Sequence, residues 1–132
     1  MINYIKKMTN NELYISIDHK IVILDCTFQK YVNQLLFQKL TNLQSREQTT
    51  KRTLGFQAKI PVFIDKSTLL MCIKSYRLEE SLYINYFAIT SYSIKKDYIV
   101  ITFVNEHCMK LNQKHSYIKQ LEKCRKILDY LN

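Results

Sequence analysis

The chain has 132 residues, of which 47% are hydrophobic and 23% charged, and Lys and Arg outnumber Asp and Glu by 20 to 11. This balance is typical of a globular protein rather than a disordered tail, and the length fits one domain spanning residues 1–132. A single Gly and a single Pro exclude a glycine-rich phosphate loop and leave little room for a flexible linker.

The formal net charge of +9 indicates a polyanionic partner, for which nucleic acid and an anionic membrane surface are the common candidates. An AT-rich genome, which enriches Lys, Ile, Asn and Tyr codons, would produce the same charge without such a partner. The apolar runs are too short for a membrane span or a secretory signal, so we expect a cytoplasmic protein. The cysteines form no CxxC pair and are expected to be reduced core residues: Cys26, Cys72, Cys108 and Cys124.

The first elements are a hairpin and a helix. Alternating apolar residues in the ranges 12–17 and 20–24 predict two short strands joined at Asp18-His19. Thr27 is a plausible N-cap for a following helix of about four turns. Its apolar stripe has spacings of three and four: Phe28, Tyr31, Val32, Leu35, Leu36, Leu40 and Leu43.

The middle of the chain is polar and basic. Residues 44–59 predict a loop or an irregular basic arm, in which Glu47 is the one acid. β-branched and aromatic residues then predict strands at 60–64, 69–73, 82–94, 98–104 and 108–111. Lys95-Lys96-Asp97 and Asn105-Glu106 are the expected turns between the last three of these strands.

A helix closes the chain. Ser116 is a plausible cap, and the apolar stripe consists of Tyr117, Leu121, Cys124, Leu128 and Leu131. The whole order predicts an α+β fold: a single domain with a mainly antiparallel sheet of about six to seven strands and two packed helices.

Several short motifs from Lys59 onward occur in a characteristic order and spacing. They are Lys59-Ile60-Pro61-Val62-Phe63-Ile64-Asp65, then Ser75, Tyr83-Ile84-Asn85, Phe103-Val104-Asn105, Ser116-Tyr117 and Gln120. In this respect the chain resembles the ComK-type competence transcription factors, well over residues 59–128 and more loosely before them. It departs from the pattern at Ile73-Lys74, at Tyr83, where a Trp is common, and at Glu106, where a Gly is common. It also ends soon after the last helix, so the resemblance does not extend to adaptor and protease control.

The resemblance implies a DNA-binding regulator that prefers A/T-rich duplex through minor-groove and phosphate contacts and acts as an oligomer. Cationic side chains suit a narrow, strongly negative groove, and hydroxyls suit phosphate oxygens. The alternative is a solvated surface whose charges keep the protein soluble. The candidate DNA-binding residues are Arg46, Lys51, Arg52, Lys59, Thr49, Thr50, Lys95 and Lys96, with Lys119, Lys123, Arg125 and Lys126 as a possible extension.

Other features of the sequence bear on other functions. His19, His107 and His115 lie at no nucleophile or metal-ligand spacing, so we expect no enzyme, no cofactor and no metal site. The segment Lys74-Ser75-Tyr76-Arg77 interleaves aromatic and basic residues as single-strand stacking platforms do, although such Tyr residues are more often half-buried sheet surface. The alternative to a DNA-binding protein is a protein-interaction module that pairs with a full-length regulator.

Overall fold

The computed structural model describes all 132 residues and contains nine strands and three helices. The α+β prediction is confirmed, with more strands and one more helix than expected. The elements are β1 (Ile2–Lys7), β2 (Leu13–Ile17), β3 (Lys20–Leu24), α1 (Phe28–Phe37), α2 (Leu43–Leu54), β4 (Val62–Asp65), β5 (Thr68–Lys74), β6 (Ser81–Asn85), β7 (Ile89–Ile94), β8 (Ile99–Phe103), β9 (Cys108–Leu111) and α3 (Lys114–Leu131).

The strands form two antiparallel sheets. Six of them pair in the order β3-β2-β1-β6-β5-β4, and the other three in the order β7-β8-β9. Strand β5 is buried on both faces, because successive side chains of a strand point to opposite sides. Leu70 and Cys72 contact the core under α1, whereas Leu69 and Met71 contact the core shared with the second sheet and α3. The large sheet is therefore the middle layer of the domain.

The predicted hairpin is confirmed, since β2 and β3 pair in regular register from Ile17 opposite Lys20. Strand β1 was not predicted, although it lies at the centre of the sheet between β2 and β6. The range 82–94, predicted as one strand, contains a 3-10 turn at Tyr86–Ala88 that separates β6 from β7. The side chain of Asn85 caps this turn by accepting a hydrogen bond from the Phe87 N–H, so the chain leaves one sheet and enters the other.

The first helix is shorter than predicted. Thr27 is its N-cap, as expected, and its hydroxyl accepts a hydrogen bond from the Lys30 N–H at 3.1 Å. The helix ends at Phe37, and Leu40 adopts a positive φ of 60° with 96% of its surface exposed. Leu43 is buried, but as the first residue of α2.

The prediction of a loop over residues 44–59 was wrong for most of that range, because α2 is a regular twelve-residue helix. The side chain of Asn42 caps its start by accepting from the Ser45 N–H at 2.8 Å. Gly55 ends it in the left-handed conformation, with φ of 73°, which a residue with a side chain rarely adopts. The helix contacts β4 and covers that edge of the large sheet.

The last helix begins at Lys114, so Ser116 lies inside its first turn and is not the cap. Its buried face carries Ile127 in place of the predicted Leu128 and Leu131, of which the first is half-buried and the second exposed. The turns at residues 95–97 and 105–106 are confirmed. Among the helices, none combines the length and apolar character that crossing a bilayer requires.

All four cysteines are free thiols, but not all are core residues as predicted. Cys72 and Cys124 are buried, and burial raises the pKa of both thiols. Cys108 is exposed because it lies on β9, an edge strand of the smaller sheet.

Candidate nucleic-acid interface

Two of the predicted DNA-binding residues, Lys51 of α2 and Lys59, line one open groove of about 860 Å³. The opposite wall consists of Tyr76 and Arg77, in the connection from β5 to β6. Glu47 is the only carboxylate in the lining, against three cations.

Lys59 also lines a neighbouring cavity of about 360 Å³, next to Lys119 and Lys123 of α3. No carboxylate lines this second cavity. The two depressions share the segment 57–59, so their cations form one continuous region. We call this region the basic surface and define it by Lys51, Lys59, Arg77, Lys119 and Lys123.

The position of Lys59 is fixed by hydrogen bonds from α3. The buried side chain of Gln120 accepts from the Cys72 N–H and donates to the Lys59 carbonyl, both at 2.8 Å. The Lys123 ammonium donates to the carbonyl of Ala58 at 2.6 Å. Lys59 itself has a positive φ of 49°, and its ammonium donates to the Ser116 hydroxyl at 3.0 Å. The segment before β4 is therefore tied to both β5 and α3.

The cations of the basic surface are close enough to repel one another. Burial lowers the pKa of Lys123, and a smaller effect of Cys72 raises it. Three neighbouring ammonium groups lower it further, and they belong to Lys119, Lys59 and Lys126. The only ion pair of the molecule joins the N-terminal ammonium to Asp18, so none of these cations forms an ion pair with a carboxylate.

Arg77 was not among the predicted DNA-binding residues. Its guanidinium lies 4.6 Å from the centre of the Tyr76 ring, a cation-π distance, and its side chain is exposed. Tyr76 is itself anchored, because its ring stacks on Phe28 and Phe28 stacks on Tyr83. In the sequence, residues 74–77 interleave aromatic and basic side chains, but this pattern indicates only a stacking platform for single-stranded nucleic acid.

Glu47 is a half-buried residue in the lining of the groove. Burial raises the pKa of this carboxyl. The charge of Arg77 and a 3.4 Å hydrogen bond from the Tyr76 hydroxyl lower the pKa by a smaller amount. The carboxylate therefore helps to hold Tyr76, and with it the position of Arg77.

The remaining predicted residues lie elsewhere. Arg46, Thr49 and Thr50 line a different cavity on the opposite flank of α2, and Arg52 is exposed and lines neither depression. Lys95 and Lys96 are exposed in the turn between β7 and β8. The Lys114 ammonium donates to the Lys95 carbonyl at 2.8 Å, which brings that turn to the start of α3. The predicted residues thus do not form one cluster.

The residues that carried the sequence motifs are mainly structural. The buried amide of Asn85 accepts from the Leu69 N–H at 3.0 Å and donates to the Ile2 carbonyl at 2.7 Å. That of Asn105 donates to the Asp18 carbonyl at 2.6 Å and accepts from the His107 N–H. Such amides satisfy backbone groups that the sheets leave unpaired. Of the motif residues, Lys59 alone contributes to the basic surface.

Comparison with known proteins gives one match. Residues 3–131 match the family model described as ComK protein. No curated protein and no solved structure matches the chain.

Proposed function

The chain belongs to the ComK family of competence transcription factors, and we propose that it binds double-stranded DNA through the basic surface. It is then a transcriptional regulator, acts in the cytoplasm and prefers A/T-rich sequence. One observation carries the proposal: five cations from four segments converge without a neutralising ion pair. Bringing like charges together is unfavourable because they repel one another, and binding of a polyanion removes this repulsion.

The arrangement suits a polymer better than a small ligand. Lys51, Lys59, Lys119 and Arg77 have exposed side chains and lie along two adjoining open depressions. Ammonium and guanidinium groups spaced along a surface contact successive phosphates and release their counterions. Lys95 and Lys96 extend the contact at the start of α3, and Arg52 extends it along α2.

The A/T preference requires a cation that enters the minor groove, which is narrow and most negative in A-tracts. Arg77 is our candidate, because it projects from a connection between strands and rests on an anchored tyrosine. Arg77→Lys keeps the charge but loses the planar stacking group. We expect this change to reduce the preference for A/T-rich over mixed duplex while leaving affinity for mixed duplex nearly unchanged.

A mobility-shift titration at several salt concentrations tests the proposal. If about six phosphates are contacted, the logarithm of the association constant falls with the logarithm of salt at a slope of about −5. The triple variant Lys51→Gln, Lys59→Gln, Lys119→Gln should reduce that slope by about three.

The matched control is Lys30→Gln, Lys66→Gln, Lys110→Gln. It makes the same change in net charge at exposed lysines that line neither depression of the basic surface. It should keep most of the affinity and most of the slope. Equal losses in the two triple variants would contradict the assignment of this surface, and a slope near zero in the unmodified protein would contradict DNA binding itself.

We further propose a homo-oligomer that assembles through β3. This edge of the large sheet is uncovered, whereas α2 covers the edge at β4. Ile21 and Ile23 are 48% and 51% exposed. If two β3 strands pair antiparallel with Val22 opposite Val22, then Ile21 of one copy lies opposite Ile23 of the other. The same pairing brings Lys20 near Asp25 of the second copy.

Light scattering measures this assembly directly. Ile23→Lys should yield a monomer, because charged side chains on an edge strand oppose pairing. Ile94→Lys, at an equally exposed isoleucine on β7, should leave the mass unchanged. A monomeric unmodified protein would rule out the assembly.

A further inference from the structure

The flank of α2 opposite the basic surface borders a second kind of site, a cavity of about 340 Å³. Its walls are α2, Phe63 of β4, the last turns of α3, and the connection between α1 and α2. This volume lies within the range of small-molecule pockets in proteins. The cavity shares no lining residue with the basic surface.

The centre of the cavity is Arg46, a half-buried arginine without an anion. Its Nε is buried and has no hydrogen-bond partner. Burial lowers the pKa of Arg46, and no carboxylate lines the cavity to oppose that effect. This arrangement is unfavourable, because the buried Nε–H loses water and gains no hydrogen bond in return.

The rest of the lining divides into polar and apolar parts. Ser45, Thr49 and Thr53 of α2 provide hydroxyl donors beside Arg46. Lys39 adds a second cation to the lining, and its charge also acts on the nearby carboxyl of Asp65. Burial raises the pKa of Asp65, but hydrogen bonds from Ser67 and the charge of Lys39 outweigh this effect, so the pKa is lowered overall.

The apolar part lies against these donors. The Arg46 guanidinium is 5.9 Å from the centre of the Phe63 ring, so the cation and the ring border the same part of the cavity. Ile127 and Leu131 of α3 complete an apolar wall. A ligand with an anionic head and an apolar body would satisfy both parts.

We propose that this cavity binds a small amphipathic anion, with a carboxylate or phosphate head at Arg46 and an apolar body against Phe63 and the end of α3. The head group pairs with the exposed part of the guanidinium and accepts from the hydroxyls, which gives this half-buried cation an anionic partner. Neither DNA binding nor family membership enters this inference, so it stands or falls independently of the proposed function.

Octanoate and octyl phosphate are the probes, with octanol as the uncharged counterpart. Binding is measured by calorimetry and by amide chemical shifts of residues 45–54, and the two acids separate a carboxylate site from a phosphate site. We expect saturable binding of at least one acid, with octanol at least about tenfold weaker, since charge-assisted hydrogen bonds are lost. Failure of both acids to bind would overturn the proposal.

The variant Arg46→Gln distinguishes a binding residue from a structural one. We expect at least a tenfold loss of affinity for the acid that binds, as roughly expected for removal of a charged pair. The melting temperature should stay unchanged or rise, because an unpaired charged group is removed. Unchanged acid affinity in this variant would overturn the proposal.

Two controls complete the experiment. Lys66→Gln, on the turn after β4, makes the same charge change outside the cavity and should leave acid affinity unchanged. DNA affinity of Arg46→Gln should equal that of Lys66→Gln, so a failure of this proposal would not be confused with a failure of DNA binding.

Discussion

The two flanks of α2 present cations in opposite states. On one flank, Lys51 is exposed beside an open groove that other lysines and an arginine share. On the other, Arg46 is half-buried against an aromatic ring, with hydroxyls around it. Exposed, mutually repelling cations suit a long polyanion, whereas a single desolvated guanidinium in a walled cavity suits one small anion. A sequence of basic residues therefore does not define one site when a helix separates them.

The largest expected effect concerns the residue on which both flanks depend. Leu43→Ala removes the only fully buried side chain of α2, and we expect the free energy of unfolding to fall by about 3 kcal/mol. Urea denaturation measures this loss. The control is Leu40→Ala, which truncates a leucine that is 96% exposed and should change stability by less than about 0.5 kcal/mol. Similar losses in the two variants would mean that α2 is not anchored at its start.

This pair also illustrates where prediction from the sequence failed. Leu40 and Leu43 fit the same helical stripe as Leu36, yet the chain turns between them at a positive φ. Residues 44–53 are polar, so α2 has no apolar periodicity to reveal it. Its signals were Asn42 and Gly55, the two capping residues, and its stability comes from packing on β4.

The strands were easier to predict, because alternation and β-branched residues mark a half-buried sheet. Strand β1 was missed since it buries Asn3 and Ile5 and carries lysines at its end. The division of residues 82–94 between two sheets depends on the long-range hydrogen bonds of Asn85, which local sequence cannot show.

For the candidate site, charge and local composition predict a polyanionic partner, but they do not show which basic residues lie on one surface. Lys51 and Lys59 were predicted, and Lys119 and Lys123 were named as an extension. Their meeting depends on Gln120, which joins residues far apart in the chain. Arg46 was grouped with them only because of its position in the sequence.

The second prediction disturbs one flank alone. Gln120→Met leaves the buried Cys72 N–H without a partner and removes a donor from the Lys59 carbonyl. We expect a loss of about 2 kcal/mol in the free energy of unfolding. DNA affinity of the folded variant should also fall, because the segment that carries Lys59 loses its link to β5, while acid binding at Arg46 persists.

The control for that change is Gln34→Met, at an exposed position of α1. It should alter neither stability nor DNA affinity. If Gln120→Met lowered acid affinity as much as DNA affinity, the two flanks would not be independent.

A smaller effect is expected from the helix cap on the other flank. Asn42→Ala removes the side-chain acceptor of the Ser45 N–H and should cost about 1 kcal/mol in unfolding free energy. The first turn carries Ser45 and Arg46, whereas Lys51 lies two turns later. Acid affinity should therefore fall more than DNA affinity, as calorimetry and mobility shifts measure. Asn112→Ala, at an exposed asparagine, is the control and should change neither.

The pH range for the last test is limited by the buried thiols. Burial raises the pKa of Cys72 and Cys124 in the folded protein, while the unfolded chain loses these protons near the usual pKa of 9.0. The unfolded state thus binds fewer protons above that pH, and stability falls as pH rises further. Circular dichroism at each pH shows whether the fold is intact.

The smallest effect separates the flanks by titration. The pKa of Lys123 lies below the usual value of 10.5, so this ammonium loses its proton at a lower pH than an unperturbed lysine side chain does. Between about pH 7 and about pH 9.5 we expect DNA affinity to fall roughly threefold, as for a weakened phosphate contact. Lys123→Arg should remove most of this dependence, because a guanidinium stays protonated. Arg46 stays protonated for the same reason, so acid binding in the cavity should be constant over this range. If DNA affinity and acid affinity declined together as pH rises, and did so in Lys123→Arg as well, the titrating group would lie outside the basic surface.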